Sequence, residues 1–430
     1  MRISPYIKIK KRSQPLWLIW FIIIYPFSFG FLNDLIGLPN AIKYLMDIAW
    51  ITLIVLAFMN INRNRVFIEK GTGFIYIYLA VFLLLTFVVY LFNFQSPLYY
   101  LWGLRNNFRF YIVFLAFVLF LRREDVYDSL RLFDGFFWVN SVVCIFQYAV
   151  MGIKQDYLGG LFGTEIGGNG YLNIFFVVVI TKSIILYLNK KESLWLMLSK
   201  CAVTLLIVAL AEIKFFYIEF VFILIVAVLI SDFTPRKVVL ILSGIIGVVL
   251  SIGLLQLIFP YFFGFFDIEE MILSATKGGY SGAKQVNRLT TVPIISEKFL
   301  DTPLKKLFGL GLGNCDTSAY EFLTTPFYTQ YSYMRYQWFS TAYLYLETGF
   351  VGMSLYFGFF ILIFFYSIKQ KKYLSGDKQG VMLCQISATL SVIASLITVY
   401  NSSLRTEASY ILFFALSFAF VAGKEKIINE

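Results

Sequence analysis

Residues 73–92 read GFIYIYLAVFLLLTFVVYLF, a run without one charged side chain. A helix of about 20 residues spans roughly 30 Å, the thickness of the hydrocarbon core of a bilayer. The rest of the chain shares this character, because 59% of its 430 residues are hydrophobic and only 14% are charged. Soluble domains typically carry about 25% charged residues. The sequence therefore predicts a polytopic membrane protein, and it excludes a soluble globular domain, a coiled coil and a disordered chain.

Apolar runs of similar length recur along the chain, and they predict an all-α fold with about twelve transmembrane helices. The predicted spans are 16–31, 43–59, 73–93, 108–121, 133–151, 170–188, 193–210, 215–231, 238–260, 349–368, 380–399 and 408–423. The run at 108–121 is short, and residues 338–348 could extend the tenth span. The chain then divides into nine spans (1–260), a large loop (261–337) and three spans (338–430).

The distribution of lysine and arginine predicts the orientation in the membrane. With the N-terminus in the cytoplasm, the cytoplasmic segments carry 21 Lys and Arg residues and the short exterior loops carry 6. Cytoplasmic loops of membrane proteins are enriched in these residues. Both termini are therefore expected in the cytoplasm. The basic residues at 8–12 resemble the start of a signal peptide, but no small-residue cleavage site follows, which favours a retained signal anchor.

Several kinds of site are excluded or disfavoured by composition. Histidine is absent, which excludes imidazole zinc sites, histidine bases and Ser-His-Asp triads. The four cysteines show no CxxC spacing, so no disulfide framework is predicted. No D-x-D-like carboxylate pair is evident, and we predict neither a metal nor another cofactor. The net charge of +11 lies mostly in short loops, which indicates topology rather than nucleic-acid binding.

Residues 261–337 form the one long exterior segment, and a loop of this length is usually functional. Five apolar residues recur within it at helical spacing: Val286, Leu289, Val292, Ile295 and Phe299. This spacing predicts an amphipathic helix on the outer membrane surface, perturbed by Pro293. Residues 309–314 (GLGLGN) lack the flanking strand and helix of a nucleotide site, so we interpret them as a tight structural turn. The aromatic stretch 327–338 fits either sugar stacking or an interfacial belt.

Ionisable residues near the exterior helix ends are functional candidates, because charges close to the hydrocarbon are costly. Lys214 heads the eighth span, and Glu219 lies about one and a half turns into it; the pair could bind an anionic headgroup or only stabilise packing. Arg288 offers a planar fork suited to phosphate, although headgroup contact would also explain it. The other exterior or interfacial cations are Arg105, Arg109, Arg335 and Arg405. Many cations with little free carboxylate predict a pyrophosphate site.

Taken in order, these motifs resemble those of the bacterial O-antigen polymerase (Wzy-type) and O-antigen ligase superfamily. The resemblance lies in residues 211–214 with the basic residue that heads the eighth helix, in Arg288 with Pro303 and the GxGxG-like residues 309–313, in the E-x-G-x-x-G motif of residues 347–352, and in residues 158–163 with Asn169. It implies a metal-independent membrane glycosyltransferase of C-type architecture in the bacterial inner membrane, with its active site facing the exterior.

The resemblance also implies roles for single residues and partners. Lys214 and Arg288 are expected to bind the pyrophosphate of undecaprenyl-pyrophosphate-linked glycans, which serve as donor and acceptor. Glu347 and Glu219 are the candidate bases. The lipid bilayer and a chain-length regulator protein are the other expected partners. The remaining exterior arginines are further substrate-binding candidates.

Three functions remain open at this level. A polymerase of oligosaccharide repeat units, for O-antigen or for capsular or exopolysaccharide, is favoured. O-antigen ligases carry a histidine at the start of the helix after the loop, whereas the nearest matching position here is Trp338, about nine residues before Glu347. A lipid-linked oligosaccharide flippase is the third possibility. It is expected to place charged residues along a path inside the bundle, and the sequence indicates the reverse.

Overall fold

The computed structural model describes residues 15–62, 68, 71–258, 276 and 285–424, and this part of the chain contains helices and turns but no β-strand. The α-helices are α1 (Leu16–Ile24), α2 (Pro26–Ile36), α3 (Leu45–Asn62), α4 (Gly73–Phe92), α5 (Pro97–Phe120), α6 (Arg123–Ala149), α7 (Gly168–Leu188), α8 (Leu194–Leu210), α9 (Phe215–Ile230), α10 (Pro235–Ile258), α11 (Thr291–Lys298), α12 (Pro303–Phe308), α13 (Pro326–Tyr331), α14 (Ser340–Tyr373), α15 (Lys378–Tyr400), α16 (Ser409–Leu416) and α17 (Phe418–Ala422). Short 3₁₀ turns lie at Asn40–Tyr44, Gln155–Tyr157, Gly160–Phe162, Glu321–Leu323, Ser332–Met334, Tyr336–Trp338 and Ser403–Arg405.

An α-helical membrane protein, as predicted, is confirmed. Among the described residues, seven helices are long and apolar enough to cross a membrane, or eight if the bent pair α1–α2 counts as one span. The seven are α3 to α7, α14 and α15. The basic residues at 8–12 and positions 259–275 and 277–284, which include the end of the ninth predicted span and the start of the large loop, lie outside the described residues.

The first predicted span is broken at Pro26. Helix α1 ends at Ile24, helix α2 begins at Pro26, and the two axes differ by 49°. A proline cannot donate a backbone hydrogen bond, and its ring collides with the carbonyl four residues earlier. The run at 16–31 therefore forms two short helices instead of one straight span.

Helix α5 is longer than the predicted span at 108–121, because it begins at Pro97. The polar residues Arg105, Asn106 and Arg109 interrupt the apolar run but not the helix. Asn106 and Arg109 are buried, and each is hydrogen-bonded to a carboxylate of a distant segment. Hydrogen bonds to these distant carboxylates thus satisfy the polar residues of α5, whereas hydropathy alone predicts a helix that begins only at residue 108.

Helix α14 joins the tenth predicted span to its possible extension, since it begins at Ser340 and continues to Tyr373. Its regular path breaks at Gly349, which has a φ of 63° and a ψ of −165°. A side chain at this position would lie 2.4 Å from the carbonyl carbon of Leu307. Glycine is required there, because only it combines this φ with so close a contact.

The described part of the large loop packs on the first turns of α14 as a small second core. That core contains Val286, Ile295, Leu300, Cys315, Met334, Tyr336, Phe339, Ala342, Tyr343, Tyr345 and Leu346. The predicted amphipathic helix is shorter than its pattern, since α11 begins only at Thr291 and Leu289 is 56% exposed. Pro293 then falls in the first turn, where a missing N–H costs nothing.

Candidate functional site

Most of the predicted site residues gather at one end of the helical bundle, here named the Arg288 end. It comprises residues 285–339, the turn 211–214 between α8 and α9, and the segment 401–408 between α15 and α16. There the large loop contacts the segment just before α5. The side chain of Gln95 donates a hydrogen bond to the backbone carbonyl of Leu312 at 2.5 Å.

Arg288 is held by its neighbours in sequence and by α15. The Oδ1 atom of Asn287 accepts the backbone N–H of Arg288 at 2.7 Å. The guanidinium lies over the ring of Tyr400 at 4.1 Å, and its Nε donates to the Tyr400 carbonyl at 3.1 Å. Within the described part of the chain, Nε of Arg288 makes a hydrogen bond, whereas the two terminal nitrogens of its guanidinium make none. The terminal nitrogens can therefore meet an anion while stacking fixes the plane of the fork.

Lys214 immediately precedes α9 and lies near enough to this arginine to interact with it electrostatically. The next residue, Phe215, stacks on Tyr400 with ring centroids 3.9 Å apart, so one aromatic pair connects the two cationic segments. Burial lowers the pKa of Lys214 most; Glu212 and Asp156 raise it, Arg288 lowers it further, and the net direction is down. The two cations are close enough to repel each other, and a bound anion would relieve this repulsion.

The turn before α9 is strained. Glu212 and Gln155 have φ values of 51° and 58°, which residues other than glycine rarely adopt. The Gln155 side chain donates to Glu212 at 2.6 Å, and Asn169 donates to Asp156 at 2.8 Å and to the Ala211 carbonyl at 3.2 Å. Strained residues of this kind cluster at functional sites. Asn169 at the start of α7 and the loop residue Gln155 thus position the turn that carries the lysine.

Arg105 and Arg109 are neutralised by carboxylates, a feature that the sequence does not reveal. Arg105 donates through Nε and Nη2 to Oδ2 of Asp47 on α3, at 3.0 and 2.9 Å. Arg109, only 2% exposed, donates through Nη1 to Oε1 of Glu407 at 3.2 Å. The Tyr171 hydroxyl donates to the other oxygen of Glu407 at 2.7 Å. The nitrogens of Arg105 and Arg109 named here already donate to carboxylates of the protein, which favours a structural role for both arginines.

The environment of Glu407 makes its stability contribution dependent on pH. Burial raises the pKa of Glu407, but Arg109, Arg105 and the Tyr171 hydroxyl outweigh it and lower the pKa from 4.5 to about 2. A folded-state pKa below the unfolded value stabilises the protein above pH 4.5, and this stabilisation disappears as the pH falls to 2.

We therefore expect the purified protein to lose about 3 kcal/mol from this group between neutral and strongly acidic pH. Thermal unfolding in detergent from pH 7 to pH 2 measures the loss. Glu407→Gln should be less stable at pH 7 and should depend less on pH over this range. Equal pH dependence of the variant and the wild type would contradict this account of Glu407.

Arg405 pairs with Asp316, whose neighbour in sequence, Cys315, donates to Glu347. Arg405 donates through Nη2 to Oδ2 of Asp316 at 2.5 Å and lies over the Tyr343 ring at 3.7 Å. Burial lowers the pKa of Arg405, but the Asp316 carboxylate outweighs it and the net direction is up. Asn106 donates to the same Asp316 oxygen at 2.8 Å. Arg405 is therefore also paired in this structure.

Glu347 is buried against the glycine-rich turn. Its Oε1 accepts the backbone N–H of Cys315 at 3.2 Å, and its carbonyl accepts the N–H of Gly311 at 3.0 Å. Gly309, Gly311 and Gly313 all have positive φ values. A side chain on Gly309 would lie 2.5 Å from the carbonyl carbon of Glu347. The motif is thus a tight structural turn, as the sequence indicates, and it fixes Glu347 in place.

The structure separates two other predicted residues from these groups. Glu219 is fully buried on α9, where its Oε1 accepts from Asn173 of α7 at 3.0 Å. Within the described residues its Oε2 has no hydrogen-bond partner, and the ion pair with Lys214 that the sequence left open is not formed. Arg335 lies over the ring of Trp338 at 4.3 Å, on the surface of the small second core.

Sequence reasoning overlooked the carboxylates Asp47, Asp316 and Glu407. The spacing R-T-E at positions 405–407 was the one local signal, since it places Glu407 beside a predicted cation. The structure brings Lys214 to Arg288, Arg105 to Arg109, and Arg405 to Glu347. Among these arginines, Arg288 has both terminal nitrogens without a hydrogen-bond partner within the described residues, whereas the buried nitrogen that lacks one is Nε in Arg109 and Nη1 in Arg405.

Arg288 and Lys214 give this part of the Arg288 end a positive charge. Among the described residues, no group of three or more Cys, Asp or Glu side chains is placed to hold a metal ion. No protein-family model matches the chain, and no curated protein gives a significant sequence match.

Proposed function

We propose that the protein polymerises oligosaccharide repeat units that are linked to undecaprenyl pyrophosphate, for O-antigen or for capsular or exopolysaccharide. The observation that supports this proposal is that two cationic side chains, Arg288 and Lys214, lie near each other. The two cations come from segments far apart in sequence and meet across the Phe215–Tyr400 stack. A pyrophosphate offers anionic oxygens to both at once.

In the proposed reaction, a sugar hydroxyl of a new lipid-linked unit attacks the anomeric carbon of the growing chain. The bond from that carbon to the pyrophosphate oxygen breaks, and undecaprenyl pyrophosphate leaves with the bonding electrons. Arg288 and Lys214 stabilise the charge that develops on the leaving group and orient it. The hydroxyl proton passes to a carboxylate, for which Glu219 and Glu347 are the candidates. Glu219 lies five residues after Lys214 in the sequence and has one oxygen without a partner among the described residues.

The proposal includes about twelve spans, a large exterior loop between the ninth and tenth, cytoplasmic termini and an exterior site in the inner membrane. An alkaline phosphatase fusion after Gly282, which lies outside the described residues, should therefore be active, because this enzyme folds only outside the cytoplasm. A matched fusion after Gly376, in the turn between α14 and α15, should be inactive. The opposite pattern would invert the topology and move the Arg288 end to the cytoplasm.

Elongation is expected to need no divalent metal, because two side-chain cations take the role that a metal would have at the pyrophosphate. Purified protein supplied with lipid-linked repeat units should form longer glycans in excess EDTA, at a rate equal to that with Mg²⁺. If EDTA stops elongation and Mg²⁺ or Mn²⁺ restores it, a carboxylate such as Glu212 or Glu219 must be assigned as a ligand.

A lipid-linked oligosaccharide flippase is the second candidate, and a network of buried charges favours it. Asp134 on α6 accepts from Lys182 and Lys200 at 2.6 and 2.7 Å, and Lys200 also pairs with Glu192 at 3.0 Å. The sequence indicated no such charges inside the bundle, and the structure differs on this point. These charges lie on neighbouring segments of the bundle, as the charged path of a transporter would.

A further inference from the structure

The pair formed by Glu219 and Asn173 contains two buried polar atoms that nothing satisfies. Glu219 lies inside α9 with none of its surface exposed, and the amide nitrogen of Asn173 on α7 donates to its Oε1 at 3.0 Å. Within the described residues, Oε2 of Glu219 and Oδ1 of Asn173 have no hydrogen-bond partner. An unsatisfied polar atom inside a helical bundle is costly, and an unpaired charge there is costlier still.

Charged groups on the helices around α9 do not supply the missing partner. Helices α7, α10 and α15 pack against α9. The charged side chains on these three helices are those of Lys182, Arg236, Lys237 and Lys378. In the described part of the chain, none of them interacts electrostatically with Glu219, and the same holds for the tyrosines and the cysteine of these helices and for Lys214.

A proton on Glu219 would satisfy both atoms at once. An ionised carboxylate can only accept hydrogen bonds, and so can the amide oxygen of asparagine, so neither unsatisfied atom can bond to the other while Glu219 is charged. A protonated carboxyl carries an O–H donor. Placed on Oε2, this donor can bond to Oδ1 of Asn173, parallel to the bond that Oε1 already accepts. The proton also removes the charge whose burial is most expensive.

We propose that Glu219 keeps its proton at neutral pH and forms an acid–amide pair with Asn173, with one hydrogen bond in each direction. The pair joins α9 to α7. Asn169, one helical turn earlier on α7, donates to the turn that carries Lys214, so two asparagines of one helix hold both segments. A carboxyl that holds a proton cannot accept one from a sugar hydroxyl, and the pair therefore leaves Glu347 as the candidate base.

Infrared spectroscopy of the purified full-length protein tests this proton directly, because a protonated carboxyl absorbs apart from a carboxylate. Glu219→Gln keeps the shape of the neutral acid and both hydrogen bonds of the pair. At neutral pH, the wild type should show a carboxylic-acid carbonyl band that Glu219→Gln lacks. Asn173→Leu keeps the acid but removes its amide partner, so it should shift this band to higher frequency.

Glu165→Gln is the matched control for the spectra. Glu165 also accepts from an asparagine side chain, that of Asn33 at 3.3 Å, but it is exposed and should be ionised at neutral pH. Its replacement should therefore leave the acid band unchanged. Loss of a carboxylate band instead of an acid band in Glu219→Gln would overturn the inference, since it would show a charged Glu219. An acid band that Asn173→Leu does not shift would overturn the pair.

The pair also predicts how unfolding in a denaturing detergent depends on pH. Unfolding exposes Glu219 to water, where a glutamate side chain is ionised at neutral pH. The folded state then holds one proton more than the unfolded state, so rising pH should destabilise it. Between about pH 5 and pH 7, the unfolding constant should rise about tenfold more per pH unit in the wild type than in Glu219→Gln.

Equal pH dependence of the wild type and Glu219→Gln would contradict the proposed proton. The Asn173→Leu spectrum decides the question without Glu219→Gln, should that variant fold poorly. Neither measurement uses a glycan or a lipid-linked substrate. A result that refutes the acid–amide pair would therefore leave the proposed function standing, and a protein that shows the pair but never elongates a glycan would refute the proposed function alone.

Discussion

Replacing Arg288 by alanine is expected to lower the rate of polymerisation by about 10²–10³, the cost of removing one donor to a developing anion. The arginine fork can meet two pyrophosphate oxygens, whereas lysine acts as a point charge. Arg288→Lys should therefore retain more activity than Arg288→Ala. In cells that lack their native polymerase, Arg288→Ala and Lys214→Ala should leave single repeat units in place of the ladder of longer chains.

Two controls separate this result from a folding defect. Membrane abundance is measured by blot, and neither variant should lose it, since Lys214 lies in the turn before α9 and Arg288 in the loop before α11, both outside the apolar runs. Lys305→Ala is the matched control, because Lys305 is an exposed cation of the same loop that pairs with Asp301. A normal ladder from well-expressed Arg288→Ala would return Arg288 to the role of a headgroup anchor.

Replacing Arg109 by leucine is expected to cost about 3–5 kcal/mol of folding free energy, because it leaves the buried Glu407 carboxylate without its nearest cation. Thermal unfolding in detergent should show a large drop in the midpoint. The double variant Arg109→Leu, Glu407→Leu should recover much of the loss, since it removes both members of the pair. A single variant as stable as the wild type would show that this ion pair does not stabilise the fold.

Local composition predicts those elements whose cause is local. The run at 73–92 needs no partner to form a helix in a membrane, and α4 has these bounds. Pro26 was present in the sequence, yet the apolar run around it concealed the break that it causes. Helix α5 was predicted too short because the partners of its polar side chains lie elsewhere in the chain.

In the candidate site too, features that depend on residue type were predictable and features that depend on distant contacts were not. Lys214 and Arg288 were named as candidates from residue type and position, and in the structure they are near enough for Arg288 to lower the pKa of Lys214. Their shared aromatic pair was not predictable, since Phe215 and Tyr400 belong to distant helices. The same holds for the carboxylates, because Glu407 lies 298 residues from Arg109. A search for carboxylates on the other exterior segments would have listed these partners without assigning the pairs.

The most direct test of the central claim measures both the length and the sidedness of the glycan in proteoliposomes that contain only this protein. The substrate is a single labelled repeat unit on undecaprenyl pyrophosphate, present in both leaflets. A polymerase converts it to a ladder whose members differ by one repeat unit, and Arg288→Ala abolishes the ladder. Substrate that crosses the bilayer at unchanged length would instead identify a flippase and contradict the account.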